Sequence, residues 1–211
     1  LLTPEGARKE IAALENDHGW RRGTVWADLD QAPLAFALEQ LVTLAEVTVN
    51  PLDHAVLGSL VDDYAGRGWR ADDAVVRALA SVANPSDRDA VAAACSALYR
   101  RWLDEGARAL QGAIGPMANA HTYAPGARAV GTPGAITVFV DGLRLDVARR
   151  LEERLAGAGF DVAATTSLAA LPTVTETAKA AIIPAAEGVL GPGPDLYPAN
   201  AVTGTRASIQ V

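Results

Sequence analysis

Two short segments carry residue types that could do phosphoryl chemistry. In ITVFVDGLRLD, Asp141 follows an apolar β-branched run, Ile136 to Val140, and precedes Gly142. A carboxylate at the carboxyl end of a parallel strand, with a glycine letting the chain turn sharply into a helix, is a common way of holding a divalent cation. The competing role for Asp141 is a plain helix cap, and Arg144 and Asp146 taken alone read as a solvated first turn. In LPTVTETAKAAIIP, Pro172 leads through three alternating threonines into a short helix closed before Pro184. Thr173 and Glu176 stand at capping-box spacing, which gives Thr173 a structural task, and Thr175 falls in the first helical turn. A hydroxyl there lies among unsatisfied backbone N–H groups at the positive end of the helix dipole, a setting that favours a phosphate beside it. A metal within reach would lower the hydroxyl's pKa and make threonine a usable nucleophile; without one it is a poor nucleophile.

The elements that must position these residues divide the chain in two. Residues 1–128 read as a helical domain. From Ala32 to Ala45 the residues Leu34, Leu38, Leu41 and Leu44 fall at spacings of three and four and form one apolar helical face. Further helices are expected over His54–Ala65, Ala71–Ala83 and Ser86–Ala109, the last capped by Ser86, with Pro51 and the Asn84-Pro85 pair as separators. The proline- and glycine-rich stretch YAPGARAVGTPGA after Thr122 cannot continue a helix and marks the boundary. Residues 129–211 then read as the first part of an α/β parallel sheet: a buried central strand at Ile136–Val140, a helix at Arg144–Ala158 ended by Gly159, and a second strand at Phe160–Thr165 joined by a right-handed crossover. The glycines before Ile136 precede the strand instead of following it, so the order excludes a dinucleotide-binding loop.

Half of the 211 residues are apolar, enough for a buried core, and the net charge of −7 excludes the broad basic field of a free-standing nucleic-acid-binding domain. Cys95, the single cysteine, reads as a small buried hydrophobe, and a reducing cytoplasm suits it. No apolar run approaches the roughly 20 residues that span a bilayer, so no membrane anchoring is expected. Trp20, Trp26, Trp69 and Trp102 read as core or interhelix seams. His18, beside Glu15 and Asp17, reads as part of a solvated face, and His54 and His121 are too isolated for ligand roles. A chain that starts at Leu1 and ends at Val211 in what reads as a strand is expected to be an internal fragment, with an unpaired sheet edge through which copies could associate.

FVDGLRLDVARRL followed by LPTVTETAKAAIIP resembles the opening of the PglZ domain of the alkaline phosphatase superfamily, whose nucleotide pyrophosphatases also begin with DG-x-R-x-D and later carry P-T/S-x-T. GTVWADLDQAPLAFALEQLVTLAE, DDYAGRGWRADDAVVRALA and ALYRRWLDEGA are similar to the region before that domain in type B PglZ proteins of BREX bacteriophage-defence systems. The resemblance spans nearly the whole chain. It implies that Asp141 is a ligand of one of two divalent metals, usually zinc, and that Thr175 is the nucleophile of a phosphatase or phosphodiesterase, with Thr173 the second candidate. It also implies a phosphate-ester substrate and other defence proteins as partners. The superfamily's further Asp and His ligands have no counterpart between residues 176 and 211, so neither a bound metal nor turnover is expected of this chain alone. The alternative is a non-catalytic scaffold whose helical half docks the partners.

Overall fold

A computed structural model describes residues 3–119, 134–136, 138, 140–169, 190–192 and 198–200. The chain divides into two compact units, Leu1–Pro116 with Leu145–Arg149, and Met117–Arg144 with Arg150–Val211. The boundary expected near residue 128 falls outside the described residues.

The first unit is helical. Helix α1 (Pro4–His18) starts where Thr3 accepts a hydrogen bond from the Gly6 amide at 3.1 Å, with Pro4 and Glu5 in its first turn. A 3-10 turn (Gly19–Gly23) and the short α2 (Val25–Asp28) lead to α3 (Pro33–Val47). The expected face of α3 is largely present: Leu38, Leu41 and Leu44 are buried, while Leu34 is 49% exposed. Helix α4 (Leu57–Asp63) runs through a π-helical segment (Tyr64–Gly68) into α5 (Trp69–Ala80) without the break expected between Ala65 and Ala71. Helix α5 turns the small side chains Ala71, Ala74 and Ala78 inward, and their size lets α3 pack closely against it, while α1 also packs on α3. Helix α6 (Pro85–Asn119) is 35 residues long and passes the expected end at Ala109. Asn84, one turn position before Pro85, accepts from the Ser86 amide at 2.9 Å, so Asn84 takes the capping part expected of Ser86. The core joins α1, α3, α4, α5 and α6 through Ile11, Leu41, Leu44, Leu60, Ala74, Leu98 and Trp102.

Three arginines fasten the irregular joints of this unit to backbone carbonyls, among them carbonyls at the end of α3 that the helix leaves without partners. Arg8 donates to Ala45 O at 3.2 Å and Thr48 O at 2.6 Å, closing the end of α3. Arg22 donates to Ala35 O at 3.1 Å and grips the Glu15 carboxylate with both terminal nitrogens, tying the 3-10 turn to α1 and α3. Arg67, in the π-helical segment, donates to Val47 O at 3.1 Å and Pro51 O at 2.8 Å while making a two-pronged pair with Asp63.

The α/β parallel-sheet half expected for residues 129–211 is not what the structure holds. Among the described residues, strand pairing is confined to β1 (Leu190–Pro192) and β2 (Pro198–Asn200), which are antiparallel with Gly191 opposite Ala199. Ile136, Val138 and Val140 lie outside any strand and are 92%, 75% and 51% exposed, and Phe160 and Val162 in the second expected strand are 64% and 39% exposed. The physical reason is that a buried strand needs hydrogen-bonded neighbours on both edges and apolar cover on both faces. β-Branched composition reports only that a run would suit such a site, and no described residue pairs with either run. The sheet edge on which the expected self-association depends is likewise absent among the described residues. The helix between the two runs does form, as α7 (Leu145–Gly157).

Candidate functional site

Asp141 and Gly142 form a tight turn, and Gly142 has φ +66, a left-handed conformation that glycine adopts without the steric cost a Cβ would bring. The chain then straightens through Leu143 and enters α7, whose N-cap is Arg144 in an extended conformation (φ −72, ψ 149) with no side-chain capping bond. The N-cap position thus belongs to Arg144, three residues after Asp141. The Asp141 carboxylate stands on an exposed turn ahead of the helix N-terminus, where it is reachable from solvent. Asp146, expected on a solvated first turn, is instead buried, at 1% exposure.

The other end of α7 is fixed by its own sequence. Gly159 (φ +88) is left-handed, the Phe160 amide donates to Leu155 O at 3.1 Å and the Gly159 amide to Ala156 O at 3.0 Å. That is the Schellman pattern of helix termination. Two glycines thus bracket the helix behind Asp141 and set where it begins and ends.

Thr173 and Thr175 lie outside the described residues, as does His121, so the structure brings neither threonine into relation with Asp141. A zinc ion takes four ligands. Asp141 alone cannot supply them, and among the described residues no three His, Cys, Asp or Glu side chains come together in a way that could hold a metal ion. The described donor set does not fit a complete metal centre. His54 Nδ1 lies 3.0 Å from Leu52 O, and Cys95 is buried, with burial pushing its thiol up to about 11, so that this thiol is not poised as a nucleophile.

The charged clusters of the first unit are structural. The hydrogen bond from Arg22, then its charge, hold the Glu15 carboxyl below the usual range against the effect of burial. Burial works to raise Asp63, but the hydrogen bonds from Arg67 and from the Asp53 amide, 2.8 Å away, together with the Arg67 charge, hold it low. Asp72 accepts hydrogen bonds from both Tyr64 and Tyr99 and so links the π-helical segment, α5 and α6.

One feature of this unit has the form of a binding surface. A groove of about 940 Å³ is walled by α1, the 3-10 turn, α2, α3 and α6, with Ile11, Leu38 and Leu41 on its floor and Trp20, Trp26, Leu14 and Leu34 at its mouth. Trp20 and Trp26 are 65% and 62% exposed, which corrects the expectation that all four tryptophans are core or seam. Trp102 does meet it: it is buried and donates to Asn50 O at 3.1 Å. The signal for the other two was their setting in HGWRRGTVWADLD, a polar, glycine-punctuated stretch without a helical apolar face. His18 also lines this groove and is half-buried, not fully solvated.

Comparison with protein-family models, with curated proteins and with solved structures finds no match to this chain. Among the described residues, no helix is long and apolar enough to cross a membrane.

Proposed function

We propose that this chain carries the opening of a phosphoester-hydrolase site and that the protein it belongs to works in the cytoplasm as the hydrolase of a BREX-type defence system alongside other proteins of that system. The observation that supports the reading is the Asp141-Gly142 turn. The carboxylate is exposed and is carried on a turn whose left-handed glycine is what a sharp entry into α7 requires. In this reading Asp141 is a metal ligand and the Thr175 hydroxyl oxygen attacks the phosphorus. The ester oxygen then leaves as an alcohol, taking up a proton, and water hydrolyses the phosphothreonine. Thr173 is the second candidate for the attacking group. The divalent ion, zinc by resemblance, would polarise the phosphoryl oxygens once ligands beyond the described residues complete its site.

The test is elemental analysis for zinc together with hydrolysis of an aryl phosphate and a bis-aryl phosphate by the full-length protein, as wild type, Asp141→Ala and Thr175→Ala. Metal that is present in the wild type and falls with Asp141→Ala, with turnover lost in Thr175→Ala, is the expected outcome. A metal-free, inactive wild type would overturn the proposal.

A further inference from the structure

We propose that the groove walled by α1, the Gly19–Gly23 turn, α2, α3 and α6 docks an amphipathic helix of a partner protein, one that carries acidic side chains along the edge of its apolar face. The inference is independent of the phosphoester reading, because every lining residue belongs to the first unit.

The apolar part of the argument is continuity. Single exposed hydrophobic residues are ordinary on a protein surface, but Leu14, Trp20, Trp26 and Leu34 border one groove and continue into its apolar floor at Ile11, Leu38 and Leu41. Exposed tryptophans around an apolar floor are the residue type and arrangement that anchor protein interfaces.

The form of the occupant follows from backbone hydrogen bonding. The groove is bordered by helices, a 3-10 turn and the short link at Gln31 and Ala32, and no strand edge borders it. An extended segment entering it would find no ladder to join and would bury its own N–H and C=O groups without partners. A helix satisfies its backbone internally and presents anchors at i, i+3, i+4 and i+7, which is what an apolar slot of this kind can accept.

The charge of the occupant follows from which lining charges already have partners. Asp87 lies in the first turn of α6, where the helix dipole favours a carboxylate. Arg22 is held by Glu15, whereas its neighbour Arg21 lies over the Trp20 ring, 5.7 Å from its centroid, and has no carboxylate partner among the described residues. A guanidinium held over a ring by its charge keeps N–H groups that can donate to a carboxylate. The chain's net charge of −7 does not select against an acidic helix at contact, because salt screens charges beyond a Debye length of about 8 Å while the Arg21 pair forms within it.

The test uses the whole chain and two synthetic amphipathic helices with identical leucines at i, i+3, i+4 and i+7, one flanked by glutamates and one by lysines. Binding is read from the blue shift of tryptophan emission, to which the exposed Trp20 and Trp26 contribute. The glutamate helix is expected to bind about fivefold more tightly than the lysine helix, and Arg21→Glu to reverse that order. Trp26→Ala is expected to weaken the glutamate helix about thirtyfold, the loss of an aromatic anchor, with the far-ultraviolet circular dichroism unchanged and Leu34→Ala as a second, milder variant. Absence of any shift, equal binding of the two helices, or indifference to Arg21→Glu would overturn the proposal. So would a monomer–dimer equilibrium in sedimentation that Trp26→Ala abolishes, since that would give the groove to a second copy of the chain.

Discussion

Replacing Arg67 by methionine keeps most of the side chain's length and apolar volume and removes its charge and all its hydrogen bonds. The structure shows what is lost: Nε to Asp63 Oδ1 at 2.6 Å, Nη2 to Asp63 Oδ2 at 2.7 Å, Nη2 to Pro51 O at 2.8 Å and Nη1 to Val47 O at 3.1 Å. The Asp63 side chain, 20% exposed, would keep only the Asp53 amide as a described partner. Removing one member of a buried charged pair costs roughly 3–5 kcal/mol, whereas exposed pairs are worth less than about 1 kcal/mol. Arg67 is 35% exposed, so the electrostatic part belongs near the lower figure. Two orphaned carbonyls add to it, since each buried unsatisfied group costs about 1–3 kcal/mol, less where water reaches it. The expected total is about 2–4 kcal/mol, read from urea denaturation followed by far-ultraviolet circular dichroism. Two controls isolate the mechanism. Arg67→Lys should recover less than half of the loss, because an ammonium cannot reach both carbonyls and the carboxylate, and Arg67→Met combined with Asp63→Asn should cost clearly less than the sum of the single changes. A loss below about 0.5 kcal/mol for Arg67→Met, which is the range of an ordinary surface change, would refute the reasoning.

Other consequences follow from particular contacts. Tyr99→Phe should cost about 1 kcal/mol in the same urea assay, with Tyr64→Phe and Tyr99→Phe non-additive because both hydroxyls serve the one Asp72 carboxylate. Glu15, whose folded-state carboxyl is held below its unfolded value, contributes stability that is present above the ordinary carboxylate range and is lost as pH falls through the lowered value. Stability measured across that acid range should therefore fall less steeply in Glu15→Gln than in the wild type. Gly142→Ala should disfavour the turn by about 1–2 kcal/mol, the penalty for a Cβ in the left-handed region, and should lower metal content in the full-length protein if Asp141 is a ligand. Cys95 should react with a thiol reagent only at the rate of unfolding, since it is 4% exposed and burial pushes its thiol up to about 11.

What the sequence made legible was whatever is specified locally. The three-and-four spacing of Leu38, Leu41 and Leu44 places a buried face on α3, and the apolar run around Cys95 places a core position on α6. The departures have local physical causes too. Leu34 shares the spacing of its three partners but sits in the first turn, where α3 opens onto the groove, so periodicity alone could not tell a core leucine from a groove leucine. The break expected near Ala65 fails because the Tyr64–Gly68 segment continues the helix with π geometry, and Arg67 within it anchors the loop between α3 and α4. Neither that insertion nor the partners of Arg67, up to 20 positions away, can be read from a hydrophobic period.

The same distinction explains why the expected strands failed while the helix between them formed. A helix closes its hydrogen bonds within a few residues, and α7 does so between the left-handed Gly142 before it and the left-handed Gly159 after it. A strand closes its hydrogen bonds on another strand, so Ile136–Val140 could be judged suitable for a buried sheet without anything in the run naming its partner. Asp141 lies at the junction of these two cases. Its place on a parallel sheet was inferred from the run that precedes it and is not realised among the described residues, whereas its turn and the helix behind it close their backbone within residues 141–160 and are. The argument for Asp141 as a ligand therefore shifts from the sheet to the turn. The sheet account ties Asp141 to the strand before it, so that polar replacement of Val138 and Val140 should reduce metal binding as much as Asp141→Ala does. The turn account makes Asp141 and Gly142 the sensitive positions, and the two apolar residues, both largely exposed, should tolerate replacement. Metal content of the full-length protein across these four substitutions decides between them.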